Sequence, residues 1–120
     1  MLKGDGLAEP LSARIYSEDE SLHAPHLLDV EVAHALRRYA IVAGDRASAA
    51  GAAMEDLRRL RLRRYPHGPL LGRIWELRAN LTAYDAAYVA LAEALGAPLV
   101  TRDGRLARAS GIRARIELFA

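Results

Sequence analysis

Apolar and polar residues alternate along this chain with two different periods, and one run has almost no polar positions. Ala83-Tyr84-Asp85-Ala86-Ala87-Tyr88-Val89-Ala90-Leu91-Ala92 carries a single charge, Asp85. A segment apolar on nearly every side predicts a buried helix, started by Thr82 and ended before Gly96. Pro98-Leu99-Val100-Thr101 then reads as a short buried strand. Upstream, Pro25 is predicted to open a helix to about Val42, with Leu28, Val32, Ala35, Leu36 and Tyr39 on one face. Gly44 suits its end, and Asp45 the start of a further helix to about Arg59. The alternation of Leu60-Arg61-Leu62-Arg63-Arg64-Tyr65 predicts a strand exposed on one face. Pro69 opens a helix holding Leu70, Leu71, Ile74, Trp75 and Leu77, and a short helical turn is expected around Leu106 and Ala107. Leu22-His23-Ala24 and Ala114 to Phe119 read as strands, Leu7 to Tyr16 as a weak helix, and Ser17 to Glu20 as a loop. Strands interleaved with helices predict an α/β fold with a mostly parallel sheet flanked by helices.

The 120 residues suit one domain, 1–120, without repeats or low-complexity linkers. A hydrophobic content of 52% and a charged content of 27% are those of a globular protein. With no cysteine, disulfides and thiolate metal sites are excluded, and a cytoplasmic, reducing setting is expected. Met1-Leu2-Lys3-Gly4-Asp5-Gly6 is not a signal peptide, and no apolar run reaches the ~20 residues that cross a bilayer. A net charge of +2 permits a nucleic-acid partner without requiring one. The arginine and alanine richness equally fits a high-GC genome.

Three acidic residues on separate elements suggest chemistry. Asp85 stands in the apolar helix, Asp103 follows the strand Leu99 to Thr101, and Glu31 lies in Leu27-Leu28-Asp29-Val30-Glu31-Val32-Ala33-His34-Ala35-Leu36. Each has a plain structural role available. Thr82-x-x-Asp85 has the spacing of a capping box, Asp103 can cap the turn after its strand, and Glu31 sits at the border of an apolar stripe. Their convergence at strand ends, where ligands of α/β sheets gather, points instead to a site for a hard dication. Oxygen-only ligands suit Mg²⁺ or Mn²⁺ rather than zinc, and such an ion fits phosphodiester hydrolysis. His23, His26 and His34 offer a rival zinc set, but no second cluster completes it. Arg58-Arg59-Leu60-Arg61-Leu62-Arg63-Arg64 is either a phosphate-binding run or a solvated helix end with a charged edge strand.

From about Leu22 to the C-terminus, these residues resemble the PIN-domain ribonucleases, specifically the VapC toxins of toxin–antitoxin pairs. His23-Ala24-Pro25-His26-Leu27-Leu28-Asp29-Val30-Glu31-Val32 resembles the second acidic motif, with Glu31 as its carboxylate. Leu81-Thr82-Ala83-Tyr84-Asp85-Ala86-Ala87-Tyr88-Val89-Ala90-Leu91-Ala92 is similar to the third, with Asp85 as the ligand. Leu99-Val100-Thr101-Arg102-Asp103 resembles the fourth, with Asp103 as the acid and Thr101 as a hydroxyl supporting it. The resemblance implies a PIN-like three-layer fold and a Mg²⁺- or Mn²⁺-dependent endoribonuclease in which Glu31, Asp85 and Asp103 are catalytic metal ligands. It also implies an RNA substrate of the tRNA or rRNA class, homodimerisation and neutralisation by a VapB-type antitoxin, away from any membrane.

One departure qualifies this. The family opens with a central strand ending in Asp, within a V-x-D-x-S pattern, and nothing here matches it. Asp5 lies among glycines with too little chain before Glu31. The expectation is an N-terminally truncated or misassigned reading frame. The alternative function is then a catalytically impaired remnant that only binds an antitoxin or dimerises. A receiver-like domain is disfavoured, because Lys3 is the only lysine.

Overall fold

Leu22–Pro25 forms the first strand, β1, and its backbone pairs in parallel with Leu62–Tyr65, β2, in the register Leu22↔Leu62 to Pro25↔Tyr65. The computed structural model describes residues 21–44 and 47–118. Expectations for Asp5, for Leu7 to Tyr16, for 17–20, for Asp45 and for Phe119 lie outside them. Between the paired strands run α1, Leu27–Ala43, and α2, Ala47–Arg59, which pack against each other. After β2 a 3₁₀ turn, Gly68–Leu70, leads into the short α3, Leu71–Glu76. The alanine-rich helix α4, Ala83–Leu95, is followed by β3, Leu99–Thr101, then α5, Gly104–Arg108, and β4, Ile116–Leu118. β3 and β4 pair in parallel, Leu99↔Ile116 to Thr101↔Leu118. The α/β class and the parallel strands follow the sequence pattern. The sheet itself is divided: among the described residues the two parallel pairs share no ladder.

Helix α4 is the centre of the core. Every residue from Ala86 to Ala92 is buried, and the helix packs on β1, β3 and α3. Small side chains at 86, 87, 90 and 92 let neighbouring backbones come close, while Tyr88, Val89 and Leu91 fill the space between them. Both ends are stopped by local chemistry. Thr82 Oγ1 accepts the Asp85 N–H at 3.1 Å, and Gly96 takes the left-handed conformation, φ 62°, that a β-carbon would strain.

Two helix starts differ from the reading of proline as a helix opener. Pro25 is the last residue of β1, and His26 N–H extends the ladder by donating to Tyr65 O at 2.9 Å. The helix begins at Leu27 because its N–H finds Nε2 of His67, at 3.1 Å, on the loop after β2. Pro69 sits in the 3₁₀ turn, and α3 starts two residues later. The predicted apolar stripe of α1 also divides. Leu28 is buried and Val32 packs on the core, but Ala35 and Tyr39 are exposed.

Two arginine forks tie these layers together. Arg64 on β2 grips Asp29 in the first turn of α1 at 2.6 and 3.0 Å. Arg73 on α3 grips Glu93 on α4 at 2.7 and 3.1 Å, and also donates to Gly111 O at 2.6 Å. Glu93 further accepts the Arg113 N–H at 2.8 Å, which fastens the approach to β4. Burial alone raises the Glu93 carboxyl, but the Arg73 hydrogen bonds, the Arg113 N–H and both positive charges outweigh it and hold the group below the usual glutamate value.

Glu93→Gln keeps the shape and removes the charge. It is expected to lower the unfolding free energy by roughly 2 kcal/mol near pH 7, read from urea midpoints. A carboxyl depressed in the folded state contributes fully above the ordinary glutamate range and loses that contribution as pH falls through its lowered value. The gap between wild type and variant therefore narrows in acid.

Candidate metal centre

Asp85 stands in the first turn of α4, where the helix dipole favours a carboxylate. It is partly exposed rather than sealed in the core, because burial of the helix begins one residue later, at Ala86. The solvated end of the helix thus removes the desolvation cost expected of a lone acid in an apolar run. Thr82 caps the helix by accepting the backbone N–H of Asp85.

Glu31 projects from α1, and the Tyr88 hydroxyl donates a short hydrogen bond to its Oε1. Tyr88 is fully buried and lies one turn beyond Asp85 on α4. Residues three apart share a helix face, so Glu31 is drawn to the side of α4 that carries Asp85.

Asp103 lies just past β3 and caps α5, its Oδ1 accepting the Arg105 N–H at 2.9 Å. Its own N–H donates to Oγ1 of Thr101 at 3.0 Å, and Thr101 is buried. A hydroxyl locked at the end of a buried strand fixes the backbone that presents the acid. The Arg105 guanidinium reaches both carboxylate oxygens, Nε to Oδ1 at 3.3 Å and Nη2 to Oδ2 at 3.3 Å. The hydrogen bonds to Asp103 and then its charge hold Arg105 above the ordinary arginine value, and the charge of Asp85 adds to this.

Glu31 is therefore tethered through Tyr88 to the helix bearing Asp85, and Asp103 is fixed between β3 and α5. Among the described residues no group of three histidine, aspartate or glutamate side chains closes into a ready-made cage. As a donor set the three acids fit a hard dication: all are oxygen donors, and one guanidinium does not balance three carboxylates.

The rival sets separate in space. His23 Nδ1 is 2.7 Å from the Tyr65 hydroxyl and its Nε2 3.0 Å from Ser21 Oγ, while His34 is exposed on α1. Burial, then positive charge that includes Arg63, keeps the His23 imidazole below its usual value. His26 meets His67 only edge-on, with ring centres 6.1 Å apart. The arginine run is likewise divided: Arg58 pairs with Glu55, Arg64 with Asp29, and Arg59, Arg61 and Arg63 are exposed. Sequence reasoning missed Tyr88 and Arg105. A phenol inside a fully buried helix needs a polar partner, which was a usable signal for Tyr88. No local pattern marked Arg105.

Residues 1–112 match the PIN domain family. The chain is a PIN domain of the VapC type. It is 53% identical over 107 residues to the VapC ribonuclease Mb0985 of Mycobacterium bovis, covering 88% of this chain and 79% of that one. It is 47% identical over 118 residues to Ribonuclease VapC1 of Mycobacterium tuberculosis, covering 98% and 88% of the two chains. Ribonuclease VapC12 of Mycobacterium tuberculosis is 45% identical over 102 residues, covering 84% and 78%. The match to the PIN domain includes Glu31, Asp85 and Asp103 and starts at residue 1, ahead of Leu22, where the resemblance was expected to begin.

Tyr88→Phe removes the hydroxyl that holds Glu31 and keeps the ring in the core. The expected loss is about 1.5–3 kcal/mol of stability, the range for a hydrogen bond to a charged group, measured by chemical denaturation. Thr82→Ala is expected to cost about 1 kcal/mol through the lost helix cap, with the same readout.

Proposed function

We propose that this VapC-type PIN domain is an endoribonuclease toxin that hydrolyses RNA phosphodiesters, with Glu31, Asp85 and Asp103 holding Mg²⁺ or Mn²⁺. The observation that carries the reading is that Glu31 is bound through the Tyr88 hydroxyl to the helix bearing Asp85, while Asp103 is held at the end of the buried strand by Thr101. Relatives named as ribonucleases, 45–53% identical over most of the chain, support the same activity.

Each residue has a task in this reading. Thr101 fixes the backbone of Asp103, so that its carboxylate is presented without large reorganisation. Tyr88 fixes one oxygen of Glu31 and leaves the other oxygen to serve as a ligand. The buried wall of α4 behind the acids limits water on one side, which strengthens the attraction between carboxylates and cation. A bound dication would supply a water activated for attack on phosphorus and would offset charge on the departing oxygen. Arg102, Arg105 and Arg108 are exposed at and just before α5, beside Asp103. Their charges favour approach of an RNA backbone at low salt. A tRNA or rRNA substrate, a VapB-type antitoxin, a homodimer and a cytoplasmic setting complete the proposal. No helix among the described residues is long and apolar enough to cross a membrane.

Cleavage of a structured RNA by the purified chain is expected in Mn²⁺ and to stop with excess EDTA. Asp85→Asn should lower the cleavage rate by more than about 100-fold, with an unchanged thermal midpoint as the control for folding. Equal rates for wild type and variant would trace the activity to a contaminant.

A further inference from the structure

We propose that Arg105 is an intramolecular cation gate: its guanidinium occupies the two oxygens of Asp103 that a dication needs, and it must swing away before the ion binds. This rests on the metal-centre reading above and adds a residue that regulates it.

The three arginine–carboxylate forks of the described residues differ in a way that separates clamp from gate. Arg64 and Arg73 make bonds of 2.6 and 2.7 Å, with side chains 29% and 20% exposed. They are packed, and each joins two elements distant in sequence. Arg105 makes its bonds at 3.3 Å, its side chain is 87% exposed, and its partner lies only two residues away. The Asp103 side chain is only 17% exposed, so the looseness lies in the Arg105 guanidinium, whose long bonds and solvated position hold it weakly. A fork between residues two apart also contributes little to holding elements together. Its side chain packs against almost nothing and can leave without uncovering apolar surface.

Arg105 is also dispensable for placing Asp103. The acid is held by the Thr101 hydroxyl on its N–H and by the backbone N–H of residue 105 on Oδ1, and both survive a side-chain substitution there. What the guanidinium adds is positive charge on the carboxylate oxygens. A cation in that position competes with a metal ion both for the lone pairs and by repulsion.

The test is titration of the purified full chain with Mn²⁺ by isothermal calorimetry, comparing wild type with Arg105→Gln. The gate predicts that the variant binds Mn²⁺ about threefold to tenfold more tightly at low ionic strength, with the gap closing in high salt. Arg105→Lys, which keeps the charge but loses the fork, is expected to fall between the two. Equal affinity, or weaker affinity in Arg105→Gln, overturns the gate and leaves the metal centre standing, since a supporting role for Arg105 has the opposite sign. No Mn²⁺ binding by either protein overturns the metal-centre reading and the gate with it.

Discussion

The burial of a helix with almost no polar side is the constraint on which the rest of this molecule depends. Seven consecutive buried residues, Ala86 to Ala92, leave α4 no face for water. It must therefore be covered by β1, β3 and α3 together. Leu28, Leu70, Leu77, Leu99 and Leu106 supply that cover from five different segments. Dense packing of this kind resists small shifts, so everything carried on the first turns of α4 is carried rigidly. Asp85 and Tyr88 are in those turns, which makes a folding requirement into a means of holding a site.

The same pairing of guanidinium and carboxylate serves different ends according to its solvent. Arg73 with Glu93 and Arg64 with Asp29 are largely withdrawn from water and cross between elements, where removing one partner would strand the other. They fasten α3 to α4 and β2 to α1, and so fix the two helices that present Asp85 and Glu31. Arg105 with Asp103 is chemically the same but more loosely held on the arginine side, because water surrounds the guanidinium while the carboxylate is sheltered. Exposure therefore separates structural ion pairs from one that is free to exchange. The loose pair sits on a carboxylate of the candidate centre.

Neutral groups do comparable work at the helix ends. His67 accepts the Leu27 N–H and sets where α1 starts, and so which residue of the motif reaches Tyr88. Placement of the acid thus relies on a histidine in a loop that contributes no ligand.

Where a signal is local, the sequence carried it. The span of α4 between Thr82 and Gly96, the strand Leu99 to Thr101, the turn around Leu106 and the interleaving of strands with helices all follow from side-chain period, caps and a glycine free to adopt positive φ. The hydrogen bond from the Asp103 N–H to the Thr101 hydroxyl is local in the same way, joining a strand end to the helix start that follows it. Tertiary structure alone decided the rest. Tyr88 meets Glu31 across 57 positions, Arg64 meets Asp29 across 35, and His67 meets Leu27 across 40. Those pairs decide that α1 starts after Pro25 and not at it, and that the arginine run is partly consumed by ion pairing. A linear pattern records what each residue prefers next to its neighbours. Which distant partner satisfies a buried hydroxyl or an arginine fork is settled only when the chain has closed around its core.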